Sequence, residues 1–113
     1  MNIGNHHLSS KVLLAPMAGT SDKPFRKMCR EQGAALTTSE MVVLQKHLLN
    51  TNKSKHRLDF TSEKSPISIQ IAGSEAEELA ESARQAVEFG ADIIDINMGC
   101  PAKKFVTKLQ VLH

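Results

Sequence analysis

Apolar and polar positions along the chain change period several times, and each change marks an element. Val12-Leu13-Leu14-Ala15 is a short apolar run closed by Pro16, which predicts a buried strand. Gly19-Thr20-Ser21-Asp22 supplies turn and N-cap residues, and Pro24 falls in the first helical turn, where its missing N–H is harmless. Phe25, Met28 and Cys29 recur at i, i+3 and i+4, the spacing of one inward helix face, and Gly33 ends that helix. Ala35 to Val43 predicts a second strand, and the mixed residues 44–60 are read as a helix. From Pro66 to Gly73 the alternation is strict, with Ile67, Ile69 and Ile71 on one face and Ser68 and Gln70 on the other. Ser74 and Glu77 have capping-box spacing. Ala76, Leu79, Ala80, Ala83 and Val87 then repeat at helical spacing up to Gly90. A last strand, residues 91–98, stops at Gly99-Cys100-Pro101.

The predicted order is β-α-β-α-β-α-β, which implies an α/β fold with a parallel sheet and right-handed crossovers. A doubly wound sheet and a TIM barrel both fit that order. Gln70, Asp95 and Asn97 fall on one face near the C-terminal ends of the last two strands, opposite the isoleucines. A barrel builds its active site from polar residues at that end of its interior. No GxGxxG follows the first strand, which weakens the dinucleotide-binding alternative.

Composition narrows the picture modestly. In 113 residues, 41% hydrophobic and 23% charged content is ordinary for a globular domain. Neither Trp nor Tyr occurs, so aromatic stacking is limited. A net charge of +2 does not argue for nucleic-acid binding by itself. Charge is nevertheless segregated. Lys46, Lys53, Lys55 and Arg57 crowd residues 46–57, while Glu75, Glu77, Glu78, Glu81, Glu88 and Asp92 face a single Arg84. Two solvated faces explain this, and an RNA backbone beside the basic stretch is the sharper reading. Cys29 and Cys100 are far apart, and the polar start lacks the apolar core of a signal peptide, which favours reduced thiols and a cytoplasmic setting. No apolar run approaches the roughly 20 residues of a membrane span.

Cys100 carries the most chemical information. It follows a strand between Gly99, which permits a sharp turn, and Pro101, which fixes the next φ. A thiol held at the mouth of a barrel can act as a general acid when its pKa lies near or above working pH. The structural alternative is a cysteine that merely ends a strand. Cys29 shares a helix face with Phe25 and reads as a packed thiol. The cysteines lack CxxC spacing and a histidine cluster, so no metal site is expected. Pro16-Met17-Ala18-Gly19 follows the first strand, and its small residues let a flat ring approach the backbone, although an ordinary βα turn looks the same. Gln70 can donate and accept toward a heterocycle, or simply be satisfied within the fold. Glu40, Lys103 and Lys104 read as solvated charges.

Several of these segments together resemble one family. The segments 15–26 (Ala-Pro-Met-Ala-Gly-Thr-Ser-Asp-Lys-Pro-Phe-Arg), Ser39-Glu40-Met41, Gln70-Ile71-Ala72-Gly73 and Asp95-Ile96-Asn97-Met98-Gly99-Cys100-Pro101-Ala102-Lys103-Lys104 are similar to those of bacterial tRNA-dihydrouridine synthases. The Ala-Lys-Lys ending points to the B-type subfamily. The resemblance implies the first four βα units of an FMN-binding TIM (β/α)8 barrel, which the family follows with a tRNA-gripping helical domain. It implies a flavin-dependent oxidoreductase in which NADPH reduces FMN and uridine in tRNA becomes 5,6-dihydrouridine. It further implies Cys100 as proton donor, Pro16, Met17, Ala18 and Gln70 as flavin contacts, and Asn97 as a uracil contact. A dihydroorotate-dehydrogenase-type flavin barrel is the enzymatic alternative, and a non-catalytic remnant is the other.

After Lys108-Leu109 the family's run toward Ala-Gly-Ser-Ala-Leu gives way to Gln110-Val111-Leu112-His113. Deleting the first G of codons GCA GGT TCT GCA, followed by any leucine codon, yields Gln-Val-Leu-His. The expectation is a single-base frameshift at residues 110–113, with the C-terminal barrel half and the helical domain absent and the chain inactive alone. A complete barrel takes about 250 residues and eight strands.

Overall fold

The computed structural model describes residues 1–40 and 59–99. The helix expected over 44–60 and the end of the strand expected over 35–43 fall largely outside them. The chain opens with a feature that the hydrophobic pattern did not reveal. Strands β1 (Asn2–Ile3) and β2 (His6–His7) form an antiparallel hairpin turned by Gly4 at φ 55. Two-residue strands are too short to show periodicity, and only the Gly-Asn turn at 4–5 could have signalled them. The hairpin delivers Leu8, 2% exposed, into a cluster with Ala35 and Leu36, against which Ile3 and Ile93 pack.

Strand β3 (Leu13–Leu14) runs parallel to β4 (Leu36–Thr37), with Leu13 opposite Leu36. Strand β5 (Ser68–Ile71) runs parallel to β6 (Ile93–Ile96), in register from Ser68 opposite Ile93 to Ile71 opposite Ile96. A parallel bridge from Thr38 to Ser68 joins the two pairs. The order is therefore β3-β4-β5-β6, sequential and parallel throughout. All four residues of β5 are buried, as a central parallel strand covered on both faces should be. Ile69 and Ile71 point into a cluster with Phe60 and Ala86, joined by Ile67, Leu79 and Ala83. The isoleucine face expected from the alternation is the core face.

Helix α1 (Lys23–Glu31) begins as expected. Asp22 is its N-cap, accepting from the Phe25 N–H at 3.1 Å, and Pro24 lies in the first turn. Its inward face is not the expected one. Met28 is 53% exposed, whereas Arg26 is 1% exposed. The Arg26 guanidinium donates to both Glu63 carboxylate oxygens at 2.9 and 3.0 Å and to the Ser21 carbonyl at 2.9 Å. It also lies 5.3 Å from the centre of the Phe60 ring. A fully matched guanidinium can be buried where an unmatched one cannot, so the charge on residue 63 overrides the apolar spacing. One turn on, Arg30 donates to the carbonyls of Ala35 and Pro66 at 3.0 and 2.8 Å. Burial pulls its pKa below the ordinary arginine value, and the Glu63 charge opposes that pull.

Helix α2 (Ala76–Glu88) differs from expectation in two details. Its N-cap is Glu75, one residue later than Ser74, so the residue at the third helical position is Glu78 and not Glu77. The Glu78 carboxylate accepts from the Ser74 N–H at 3.0 Å and from its hydroxyl at 3.3 Å. Its buried residues are Ser82, Gln85 and Ala86, with Leu79 and Ala83 partly buried beside them, leaving Val87 60% exposed. Small Ala86 packs in one cluster with Ile69 and Ile71 of β5, and a valine in its place would hold the helix off. Gly33 and Gly90, at φ 107 and 98, end the two helices as the sequence predicts.

Candidate functional site

In-register parallel strands bring their C-terminal ends to one edge, so the residues just past β3, β4, β5 and β6 assemble there. Pro16, Met17 and Ala18 leave β3, and Met17 is 39% exposed at that edge. Their turn is tightly held. The Ser21 hydroxyl, fully buried, accepts from the Met17 N–H at 2.8 Å and donates to the Met17 carbonyl at 3.0 Å. The N–H groups of Thr20 and Ser21 donate to that same carbonyl at 3.0 and 2.9 Å. Gly19, at φ 77, lets the chain turn so that its N–H donates to the Glu40 carboxylate at 2.6 Å. Glu40 is therefore not the solvated charge expected from the sequence. It is buried at the end of β4 and ties that strand to the β3 turn.

The next link runs from β4 to β5. The Ser39 N–H donates to the Ser68 carbonyl at 3.0 Å, and the Gln70 N–H donates to the buried Ser39 hydroxyl at 3.3 Å. The Thr38 hydroxyl donates to that of Ser68 at 3.0 Å. These short side chains fill the interior between strands with matched donors and acceptors, as buried polar groups require.

From β5 to β6 the contact is between side chains. Gln70 stands directly opposite Asp95 in the register. The Gln70 Nε2 donates to Asp95 Oδ2, and the Asn97 Nδ2 donates to Gln70 Oε1 at 3.3 Å. The Asn97 Oδ1 then accepts from the Gly99 N–H at 3.0 Å, closing a turn immediately before Cys100. The structure thus joins Gln70 and Asn97, two of the residues singled out from the sequence, directly to each other, and Gln70 also to Asp95, which the sequence placed on the same face without a role. Pro16, Met17 and Ala18 sit at the corresponding end of β3, with β4 intervening. Cys100, Lys103, Lys104 and the basic residues of 46–57 lie outside the described residues. Cys29 is a half-buried free thiol on α1. No group of three metal-ligating side chains gathers among the described residues. No helix among them is long and apolar enough to cross a membrane.

The profile of the dihydrouridine synthase family matches residues 13–110. The chain belongs to the dihydrouridine synthase family. It is 55% identical over 104 residues to a protein named tRNA-dihydrouridine synthase B from Xanthomonas axonopodis pv. citri, covering 92% of this chain and 31% of the relative. It is 51% identical over 108 residues to the protein of that name from Pseudomonas aeruginosa, covering 96% and 32%. With the Vibrio vulnificus protein of that name it shares 50% over 109 residues, covering 96% and 34%. The chain therefore spans about a third of the length of the curated relatives it matches. Every element from β3 to β6 lies within the dihydrouridine synthase match, which begins at Leu13, the first residue of β3. The β1–β2 hairpin precedes the matched segment. The family read from the motifs is thus the family found, including the B-type name its relatives bear.

Proposed function

We propose that this chain is the N-terminal part of a tRNA-dihydrouridine synthase, in which uridine of tRNA is reduced to 5,6-dihydrouridine with FMN as the redox group and NADPH as the reductant. The observation that carries the reading is the hydrogen-bonded Gln70, Asp95 and Asn97 set at the C-terminal edge of four parallel strands, within a family-matched segment and three residues before Cys100. The sequential strand order has no point at which it reverses, which supports the first half of a (β/α)8 barrel over a doubly wound sheet.

The residues present fit a flavin ring by their donor set. A primary amide carries two N–H donors and two acceptor lone pairs. Gln70 spends one of each on Asp95 and Asn97, leaving one N–H and one lone pair for a ring edge that mixes carbonyls and a ring N–H. Pro16, Met17 and Ala18, on a turn locked by Ser21 and Glu40, offer a rigid and largely apolar surface for a flat ring. FMN, when bound, supplies the hydride. The protein's part is to hold, orient and protonate. A uracil stacked within RNA is out of reach, so the base must be extruded toward this edge. Asn97 retains an N–H for a uracil carbonyl, and Cys100 gives its thiol proton to the uracil C5 carbon. Such general-acid steps contribute roughly 10²–10⁴ in rate.

The test replaces Cys100 in a complete enzyme, made by joining residues 1–109 to the remaining length of the Pseudomonas aeruginosa relative. Cys100→Ala should retain flavin and lose roughly 10²–10⁴ of uridine reduction. A variant as active as its parent would remove Cys100 from the reaction. Gln70→Ala in the same protein should weaken FMN or shift its spectrum, because a ring group loses its partner.

A further inference from the structure

Asp95 is an unusual residue to find where it is. It occupies β6 between Ile94 and Ile96, and aspartate is among the residues least suited to a strand. It is partly buried, stands directly opposite Gln70 in the parallel register, and accepts from the Gln70 amide. An uncharged residue would suit the strand better, so the carboxylate has work that strand formation does not explain.

That work follows from what a carboxylate can do. It accepts hydrogen bonds and cannot donate them. A glutamine amide, by contrast, can turn either end toward a neighbour. With a carboxylate on one side, Gln70 must aim Nε2 at Asp95, which sends Oε1 to the other side. There only a donor is accepted, so Asn97 must aim Nδ2 at Gln70. Its Oδ1 is then sent to the Gly99 N–H, the last backbone N–H before Cys100. One charge therefore sets the direction of the whole chain Asp95–Gln70–Asn97–Gly99. The unused amide protons at Gln70 and Asn97 follow from the same constraint.

We infer that Asp95 is the positioning residue of this site: it fixes both amides so that their spare N–H groups serve a ligand that brings carbonyl acceptors, and it anchors the turn entering Cys100. The ligand half of this inference rests on the function proposed above, while the direction of the chain does not. A neutral residue at 95 leaves Gln70 free to present either end, and Asn97 then loses its fixed partner.

The test uses the 113-residue chain, isotope-labelled, with the side-chain amides of Gln70 and Asn97 observed by NMR, in solution or by magic-angle spinning if the chain self-associates. In the parent protein the two Gln70 amide protons should be widely split, the one facing the carboxylate shifted downfield. Asp95→Asn should collapse that splitting and move the Asn97 amide, while backbone resonances of α1 and the β1–β2 hairpin stay in place. The exchanged pair, Gln70→Glu with Asp95→Asn, restores a carboxylate–amide bond between the strands. It should return the Asn97 amide close to its parent position, and it carries the test if the single variant fails to fold. Unmoved Gln70 and Asn97 amides in Asp95→Asn, or an exchanged pair that folds without recovering Asn97, would overturn the assignment. FMN added to the complete enzyme, residues 1–109 joined to the remaining length of the Pseudomonas aeruginosa relative, separates the two readings. If it perturbs these amides in the parent, its affinity should fall about tenfold in Asp95→Asn, the effect of losing roughly one charge-set hydrogen bond. An unchanged affinity would overturn the ligand half. A full-length parent insensitive to FMN would count against the flavin reading, and the amide shifts would still decide the role of Asp95.

Discussion

Helix α1 turns a guanidinium toward the interior, and helix α2 turns an alanine. Both lie on the same parallel sheet and both follow a strand, yet they are held by different forces. Under α2, Ile69, Ile71 and Ala86 are almost completely excluded from water, and non-directional burial dominates. Under α1, the contact is Arg26 paired end to end with Glu63 over the face of Phe60, with Arg30 satisfied by the backbone carbonyls of Ala35, Lys64 and Pro66. Apolar packing tolerates small shifts in angle and depth. A bidentate pair does not, and it fixes both the position of α1 and that of the segment from Phe60 to Glu63. The residues before α1 form the Met17 turn, so the more directional attachment lies beneath the loop proposed to face the flavin.

The largest expected effect breaks the ionic side of this comparison. Arg26→Ala should destabilise the 113-residue chain by about 3–5 kcal/mol, because Glu63 is left buried without its partner. Replacing both partners, Arg26→Met with Glu63→Met, should recover most of that loss, since a buried pair and an apolar pair of similar volume are often near equal. Denaturant midpoints of the parent and the two variants measure both numbers. A double variant no better than the single would show that α1 needs the charge itself and not just a filled volume.

On the apolar side, Ile69→Ala should cost about 2–5 kcal/mol, the usual range for a buried aliphatic residue cut back to alanine. Here no second substitution should rescue it except one that refills the space. Leu79→Phe is the natural choice, because Leu79 is partly buried against the same cluster. Recovery by a polar substitution would mean that the α2 interface is not the apolar contact described.

The contrast also explains what could be read from the sequence. The four parallel strands, α1 and α2, the glycine helix ends and the isoleucine face of β5 were legible, because each rests on a local period or a local turn, while the helix expected over 44–60 lies outside the described residues. So was the grouping of Gln70, Asp95 and Asn97, because strand alternation fixes which residues share a face. The β1–β2 hairpin was not, its strands being too short to show a period, and neither were three further features. The inward face of α1 depends on Glu63, 37 residues from Arg26, and no local period encodes a partner at that distance. Glu40 looked like a surface charge because its partner is a backbone N–H on another strand's turn. The face of α2 was misplaced by about a third of a turn, since Ser82 counted as polar although its small size suits a buried position. In each case a tertiary partner overrode a local preference.

A smaller effect concerns how α1 starts. Asp22→Ala removes the acceptor for the Phe25 N–H and should cost about 1 kcal/mol, the ordinary value for a lost N-cap. Asp22→Ser should keep most of the stability, because a serine hydroxyl caps nearly as well. If alanine and serine are equally harmful, the cap is not what Asp22 provides.

The smallest effect comes from the exposed counterpart of the Arg26 pair. At the first residue of α1, Lys23 meets Asp59 at 3.3 Å, with both side chains substantially in water. Asp59 also accepts from the Thr61 N–H at 3.0 Å. Hydrogen bonds from Thr61, then Lys23, hold its carboxyl down at about 2 from an ordinary 3.8. A carboxyl whose pKa is lowered by folding stabilises the folded state above its unfolded pKa, and that contribution fades as pH falls through the folded value. The window is therefore from about pH 4 down to about pH 2. Asp59→Asn should be slightly less stable than the parent at pH 6, and the difference should shrink toward zero by pH 2. Screening of an exposed pair keeps the difference small, and added salt should reduce the part that comes from Lys23. Arg26→Ala, by comparison, should remain severely destabilising across the same salt range, because its pair is screened little by solvent. Equal salt sensitivity in the two variants would erase the distinction between a buried ionic anchor and a surface one. Denaturant midpoints of both variants, at two pH values and two salt concentrations, decide it.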